Sequence, residues 1–216
     1  MKIQLWGLPA SGTTIIVRYF HSLPDSFFMT EPLHRLWLKK IDPEIGIENE
    51  FSAIQASLKG FKECVHTPDA QWFNTFRKKE DWTTIGMIRN PIGNWGSMLG
   101  FGWGTKEKPV EAYLSFAIPF MKAIKEYPCI VYEKFCETPS EEVERTTGIK
   151  SPKNMILKKM THRLGNPTAH QSASVEVIPA VSISDADRSV IEKSGIMDLY
   201  GELAAQANQG LVSKSR

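Results

Sequence analysis

The stretch Leu5-Trp6-Gly7-Leu8-Pro9-Ala10-Ser11-Gly12-Thr13-Thr14 joins a strand-like pattern to a helix-like one near the N-terminus of this chain. An apolar run typical of a β-strand ends at Gly7, and apolar residues with helical spacing begin just after Gly12. A strand, a glycine-bracketed loop and a helix in this order direct backbone N–H groups toward the helix N-terminus, where a phosphate can bind. The stretch therefore predicts an anion-binding loop.

The spacing of the two glycines is that of the phosphate-binding P-loop of ATP-dependent enzymes, with one difference. A P-loop has a Lys directly after its second glycine, whereas this chain has Thr13. Hydroxyls of Ser11, Thr13 and Thr14 can supplement the backbone donors. The loop thus predicts a phosphate site unlike that of an ordinary kinase or ATPase. The alternative is a plain strand–helix turn whose small residues serve steric needs.

Farther along the chain, short apolar runs alternate with helical patterns. This alternation predicts a three-layer α/β/α fold with a central parallel sheet, of the P-loop nucleoside triphosphate hydrolase-like class, with active groups at the C-terminal strand ends. We expect a single domain over residues 1–207 and a disordered tail over residues 208–216. The predicted strands are Lys2–Trp6, Ser26–Met29, Phe61–Val65, Thr83–Ile88 and Cys129–Tyr132, and the predicted helical segments include Thr13–His21, Glu48–Leu58, Pro91–Leu99 and Ser184–Ala205.

Composition excludes several classes of function. A net charge of +2 provides no broad basic surface for nucleic acid, so an anion must be held by a local site. We expect no membrane span, because no apolar run approaches about 18 residues, and no signal-peptide pattern is visible. Cys64, Cys129 and Cys136 are odd in number and lack metal-ligand spacing. They indicate reduced thiols, a cytoplasmic location and no metal site. The sequence is silent on oligomeric state.

A second candidate anion site follows the predicted strand Thr83–Ile88. Arg89 stands at the end of this strand, Pro91 suits the first turn of a helix, and Ser97 follows eight residues after Arg89. A guanidinium offers a planar fork for phosphate, and a hydroxyl can add one more donor. The alternative is that Arg89 caps a helix or pairs with a carboxylate.

Together the two motifs resemble those of sulfotransferases that use 3′-phosphoadenosine-5′-phosphosulfate (PAPS). That family's loop, Pro-(Lys/Arg)-Ser-Gly-(Thr/Ser)-(Thr/Ser), holds the 5′-phosphosulfate, and an Arg…Ser pair eight residues apart holds the 3′-phosphate. The stretch Val131-Tyr132-Glu133-Lys134-Phe135 is similar to a further family segment, and His162-Arg163-Leu164-Gly165-Asn166-Pro167 resembles a Gly-Asn-Pro loop that folds over the nucleotide. The donor would be PAPS and the product adenosine 3′,5′-bisphosphate. The resemblance implies binding roles for Gly7, Pro9, Ala10, Ser11, Gly12, Thr13, Thr14, Arg89, Ser97, Arg163, Gly165 and Asn166.

Two residues are candidates for the base that accepts a proton from the acceptor hydroxyl. Glu31, in Thr30-Glu31-Pro32, resembles a glutamate of carbohydrate sulfotransferases, and we expect it beside the phosphate loop. His66, in Cys64-Val65-His66-Thr67-Pro68, resembles the histidine of cytosolic sulfotransferases, although Cys64 stands where that motif has a Lys. The alternatives are a helix-start role for Glu31 and a structural role for His66. Glu31 is our first choice.

One departure from the family pattern bears on activity, because Ala10 stands where the loop usually has Lys or Arg. That cation would stabilise charge on the departing phosphate. Arg35 and Arg163 are candidate replacements, whereas Arg18 is expected at the surface. Two other functions stay open: an ATP-dependent phosphotransferase, against which the missing Lys after Gly12 argues, and a degenerate module that binds nucleotide without turnover, which Ala10 favours.

The acceptor is expected to be a hydroxyl of a small molecule or glycan, with a slight preference for a sugar because of the Glu31-Pro32 resemblance. Aromatic residues after Arg89, namely Trp95, Phe101 and Trp103, are candidates for adenine stacking or for the core. Trp37 and Trp72 are expected in the core.

Overall fold

A parallel sheet of five strands forms the centre of the computed structural model, which describes residues 1–68, 71–158, 174–175 and 180–209. The order across the sheet is β2-β3-β1-β4-β5, so β1 lies in the middle, between β3 and β4. The prediction of an α/β fold with a central parallel sheet is confirmed. The strands are β1 (Lys2–Gly7), β2 (Ser26–Thr30), β3 (Leu58–Cys64), β4 (Thr83–Ile88) and β5 (Cys129–Val131).

Helices follow the strands and cover both faces of the sheet. Within the described ranges they are α1 (Thr13–Ser22), α2 (Pro32–Leu38), α3 (Pro43–Ser52), α4 (Gln71–Phe76), α5 (Pro91–Leu99), α6 (Val110–Ile124), α7 (Tyr132–Glu137), α8 (Pro139–Thr147), α9 (Asp185–Lys193) and α10 (Ile196–Asn208). None of these helices is long and apolar enough to cross a lipid bilayer.

Two hydrophobic clusters, one on each face, produce the three layers. Successive residues of a strand point to opposite faces, so Leu5 and Trp6 of β1 enter different clusters. The Leu5 cluster contains Ile16 of α1 and Val143 of α8, while the Trp6 cluster includes Phe120 of α6. Both faces of β1 are therefore buried, as expected for the central strand of a parallel sheet.

The predicted helix Glu48–Leu58 is wrong at both ends, because α3 covers Pro43–Ser52 and Leu58 begins β3. The start of α3 is determined by Asp42, whose Oδ1 accepts hydrogen bonds from the N–H groups of Glu44 (2.8 Å) and Ile45 (3.2 Å).

The predicted amphipathic segment Ser184–Ala205 is two helices rather than one. The chain turns at Gly195, whose φ of 79° lies in the left-handed region that glycine adopts readily. Since α10 extends through Asn208 and residues 210–216 lie outside the described part, the domain boundary and the tail stay predictions.

The expectation that Arg18 lies at the surface is wrong. Its side chain is fully buried, and its Nε donates a hydrogen bond to the carbonyl oxygen of Lys158 (3.1 Å). Burial lowers the pKa of this guanidinium from its usual value. Arg18 therefore fastens the segment around Lys158 to α1.

Candidate functional site

The loop between β1 and α1 is held in shape by its own residues. Both the N–H and the Oγ of Ser11 donate to the carbonyl oxygen of Leu8, at 3.2 and 2.7 Å. Ser11 is completely buried, and Ala10 adopts a positive φ of 59°. The Ser11 hydroxyl proton is thus used inside the loop, so Ser11 shapes the site, while Thr13 and Thr14 begin the helix that follows.

Close packing explains both glycines of the loop. A Cβ on Gly12, whose φ is 92°, would lie 2.3 Å from a ring carbon of Tyr132. A Cβ on Gly7 would lie 2.5 Å from Cγ2 of Thr13. Packing therefore requires glycine at both positions, and the ring of Tyr132 rests directly on the loop.

The N-terminus of α1 is not capped by a side chain within the described part of the chain. The N-cap residue is Gly12, which offers no side-chain acceptor, and no acidic residue lies in the first turn. Unpaired N–H groups and the helix dipole together create positive potential at this position. Such an end is suited to an anionic ligand.

Arg89 lies against this loop, as the two-motif prediction requires. Its Nη1 donates to the carbonyl oxygen of Ala10 (2.9 Å), and its guanidinium stacks over the ring of Tyr132, 4.3 Å from the ring centre. The side chain also passes Gly93, since a Cβ built there would lie 3.6 Å from Nε of Arg89. Ser97, half-buried, follows Gly93 by four residues and shares its face of α5. Arg89, Ser97 and the loop therefore occupy one region.

Two polar residues that were not among the predicted site residues, Asn94 (buried) and Glu133 (half-buried), strengthen this junction. Asn94 donates from Nδ2 to the carbonyl oxygen of Pro9 (2.7 Å), so Asn94 of α5 and Arg89, which precedes α5, hold the loop at two successive carbonyls. Glu133 accepts the N–H of Asn90 (2.9 Å) and the hydroxyl of Tyr200 (3.0 Å). The sequence signal of Asn94 was its position alone, one turn into α5, whereas Glu133 lies in the stretch from Val131 to Phe135 that the family resemblance covers.

A buried ionic cluster lies at the C-terminal end of β3. Lys62, with 5% of its side chain exposed, forms a salt bridge with Glu31, and the N–H of Glu31 donates to the carbonyl oxygen of Lys62 (2.7 Å). Lys62 Nζ is also 3.7 Å from Sγ of Cys64, which in turn is 3.7 Å from Oγ1 of Thr13. Glu31 ends β2 and is separated from β1 by β3, so Lys62 and Cys64 lie between it and the loop.

Glu63 belongs to the same strand but points to the start of α2. Its Oε1 accepts hydrogen bonds from the N–H groups of Leu33 (2.6 Å) and His34 (3.3 Å). Burial, reinforced by the charge of Glu31, raises the pKa of Glu63 to about 8. This carboxyl is therefore mostly protonated at neutral pH.

A cavity of about 410 Å³ opens beside the cluster. Its polar wall includes His34 and His66, whose rings are 6.3 Å apart, and its aromatic wall includes Trp37 and Trp72, also 6.3 Å apart. Cys64 also lines the cavity. Because its Sγ contacts Oγ1 of Thr13, the cavity adjoins the start of α1. Trp37 is 57% exposed, so the expectation that it lies in the core is wrong.

The orientation of His66 indicates which ring nitrogen can act as a base. Nδ1 lies 3.1 Å from the carbonyl oxygen of Cys64. Because a carbonyl oxygen only accepts hydrogen bonds, Nδ1 carries the proton in this contact, and Nε2 of the neutral ring keeps its lone pair.

Other predicted residues lie elsewhere. Arg35 pairs with Glu50 (2.6 Å) on an exposed surface. Trp95 is fully buried, packs against Tyr113 and donates to Asp187 (2.9 Å), so it belongs to the core. Arg163, Gly165 and Asn166 lie outside the described residues.

This arrangement is the fold of sulfotransferases, according to comparison with solved structures. The sulfotransferase domain of the Synechococcus PCC 7002 olefin synthase is similar with a TM-score of 0.58 and 12% sequence identity, over 94% of each chain. A sulfotransferase from Alicyclobacillus acidocaldarius is similar with a TM-score of 0.54 and 14% identity, over 95% of each chain. No protein-family model and no curated protein sequence matches this chain. At such low identity, the likeness shows a shared fold.

Proposed function

We propose that this protein is a sulfotransferase that moves a sulfuryl group from PAPS to a hydroxyl group of a small acceptor molecule. The observation that carries the proposal is the contact between Arg89 and the carbonyl oxygen of Ala10 (2.9 Å). It places a guanidinium beside a helix N-terminus that is open to an anion. A guanidinium and a helix N-terminus that lie side by side suit the two phosphates of one doubly phosphorylated nucleoside.

In this proposal, the loop from Gly7 to Thr14 holds the 5′-phosphosulfate, and Arg89 with Ser97 holds the 3′-phosphate. The acceptor oxygen bonds to sulfur while the bond from sulfur to the bridging phosphate oxygen breaks, and the electron pair remains on the 5′-phosphate. Backbone N–H groups at the start of α1 stabilise that developing charge. Arg163, Gly165 and Asn166 are proposed to complete the nucleotide site.

Geometry favours His66 over Glu31 as the base that accepts the acceptor proton. Nε2 of His66 keeps its lone pair, and the ring lines the cavity next to Cys64. The carboxylate of Glu31 is held in a salt bridge with Lys62 and lies one strand farther from β1. A paired carboxylate is a weaker proton acceptor, so Glu31 is proposed to position Lys62.

The cavity is the proposed acceptor site, and its walls favour an apolar ring. Among the described residues, the lining includes three tryptophans and no Asp, Glu, Lys or Arg. Sugars are usually fixed by many hydrogen bonds, whereas flat apolar rings are held by aromatic contact. We therefore propose a ring-bearing alcohol such as a phenol, in place of the sugar hydroxyl that the sequence favoured.

Nucleotide binding tests the proposal without knowledge of the acceptor. Titration calorimetry should show binding of adenosine 3′,5′-bisphosphate to the wild-type protein, and Arg89→Met should weaken it by about tenfold or more, because a charged hydrogen-bond partner of the 3′-phosphate is lost. Arg77→Met is the matched control, since Arg77 pairs with Glu126 at the surface. Absence of binding and of any rise in melting temperature at millimolar nucleotide would refute the proposal.

Two other functions are outcomes of the same experiments. Magnesium-dependent binding of ATP in preference to the bisphosphate would indicate a phosphotransferase. Binding without sulfuryl transfer to phenols, sugars or lipids would indicate a non-catalytic module, which Ala10 favours. A cytoplasmic location remains part of the proposal and is tested by fractionation of cells that produce the protein.

A further inference from the structure

Sulfuryl transfer leaves charge on the 5′-phosphate, and the loop residue best placed to offset it is the uncharged Ala10. Among the candidate replacements, Arg35 is engaged with Glu50 on the surface and Arg163 lies outside the described residues. Arg89 is assigned to the other end of the nucleotide. The described part of the chain holds a further cation near the loop, which is Lys62.

Lys62 reaches the start of α1 from the neighbouring strand. Its ammonium group contacts Sγ of Cys64 at 3.7 Å, and that sulfur contacts Oγ1 of Thr13 at 3.7 Å. Cys64 pairs with Gly7 across β3 and β1, so the sulfur that the amine contacts belongs to the residue beside the first glycine of the loop. The side chain of Lys62 is 5% exposed, which limits the screening of its charge by water.

Lys62 stays protonated among the ionisable groups that surround it. Burial lowers its pKa, but the acidic groups beside it, Cys64 and Glu31, raise it by more, so the net shift is upward. Burial raises the pKa of the Cys64 thiol, and it does the same for Glu63. At neutral pH the cluster is therefore one ammonium group with one carboxylate, that of Glu31.

We propose that Lys62 supplies the positive charge at the 5′-phosphate end of the nucleotide, in place of the basic residue missing at Ala10. This inference rests on the proposed function. In it, Lys62 acts across the short gap bridged by Cys64 and Thr13, and Glu31 positions the ammonium group.

A comparison of two nucleotides isolates the end at which Lys62 acts. Adenosine 3′,5′-bisphosphate carries both phosphates, and adenosine 3′-monophosphate lacks the one at the 5′ position. By titration calorimetry, Lys62→Met should weaken binding of the bisphosphate by about tenfold and change binding of the monophosphate by less than about twofold. Lys59→Met is the control, because Lys59 lies on the same strand and donates to the carbonyl oxygens of Phe51 and Ile54. It should change neither affinity.

Two further variants keep the test decisive. Lys62→Met alone leaves the carboxylate of Glu31 without its ammonium partner, which can prevent folding. The double variant Lys62→Met with Glu31→Gln removes both charges, and it should show the same selective loss. Adding Ala10→Lys to either background should restore bisphosphate affinity, which a purely structural role of Lys62 would not allow.

The outcomes separate this inference from the proposed function. If the wild-type protein binds the bisphosphate but the Lys62 variants weaken both nucleotides equally, or neither, the role of Lys62 is overturned and the proposed function stands. If the wild-type protein binds no bisphosphate, the proposed function fails first.

Discussion

At the scale of single residues, the site depends on positions where a small residue packs directly against a neighbouring side chain. Gly12 combines a positive φ with direct contact to the ring of Tyr132, and that ring also carries the guanidinium of Arg89. A change at Gly12 therefore displaces the surface against which both anion-binding elements pack.

We expect Gly12→Ala to abolish nucleotide binding and to lower the free energy of unfolding by about 2–4 kcal/mol, through backbone strain and the clash with Tyr132. Gly148→Ala is the matched control, because Gly148 also has a positive φ (72°) but would place its Cβ in open space. It should lose only about 1 kcal/mol and keep nucleotide affinity. Urea unfolding and calorimetry measure both quantities, and equal losses in the two variants would contradict the crowding argument.

Glu63 should make stability depend on pH. Burial raises its pKa from 4.5 to about 8, so between these values the folded protein holds a proton that the unfolded chain releases. The contribution of this bound proton to the free energy of unfolding is complete at low pH. It is lost as pH rises toward 8, with a slope of at most about 1.4 kcal/mol per pH unit.

The measurement compares wild type with Glu63→Gln, whose amide oxygen can still accept from the N–H of Leu33. Urea unfolding at several values between pH 5 and 8 should show wild type losing stability relative to the variant as pH rises. A difference that stays constant with pH would show that Glu63 is ionised in the folded protein.

At the scale of elements, three short helices build the cavity. Trp37 comes from α2, Pro43 begins α3, and Trp72 comes from α4. Because Trp37 is largely exposed, little of the stability of the fold depends on it, and its ring is available to a ligand.

We expect Trp37→Ala to weaken binding of 2-naphthol, measured in the presence of adenosine 3′,5′-bisphosphate, by about tenfold, while the free energy of unfolding changes by less than about 0.5 kcal/mol. Phe101→Ala is the control, since Phe101 is similarly exposed (50%) but does not line the cavity. Methyl glucoside should bind more weakly than 2-naphthol to wild type. Equal binding of 2-naphthol by the two variants would place the acceptor elsewhere.

At the scale of the whole molecule, the C-terminal helices connect to the proposed nucleotide site through one carboxylate. The hydroxyl of Tyr200 in α10 donates to Glu133, whose other oxygen accepts the N–H of Asn90 beside Arg89. Residues about 110 positions apart are thus brought together at the turn that directs the guanidinium.

Tyr200→Phe should lower the free energy of unfolding by about 1 kcal/mol and weaken bisphosphate binding by about threefold, because one hydrogen bond that holds this turn is lost. Tyr127→Phe is the matched control, since its hydroxyl donates to the carbonyl oxygen of Arg77 (3.2 Å), away from the loop. It should lose similar stability with unchanged affinity. Identical affinities in the two variants would show that α10 does not influence the site.

Local patterns predicted much of this protein. The strand Thr83–Ile88 and the helix Pro91–Leu99 have the predicted bounds, because a buried run followed by Asn-Pro marks both ends within a few residues. Glu48–Leu58 was mispredicted since its apolar spacing suits a helix, while Pro43 and its Asp42 cap start the helix earlier.

Short-range patterns were enough to predict a strand–loop–helix with two glycines and an arginine at the end of a later strand, because both depend on contacts within a few residues. Three features required the folded chain: Arg89 meets the carbonyl oxygen of Ala10, Lys62 rather than Arg35 lies near the loop, and Trp37 faces solvent. These depend on which strands are neighbours in the sheet and on where long side chains find partners. Such long-range packing leaves no periodic trace in one sequence.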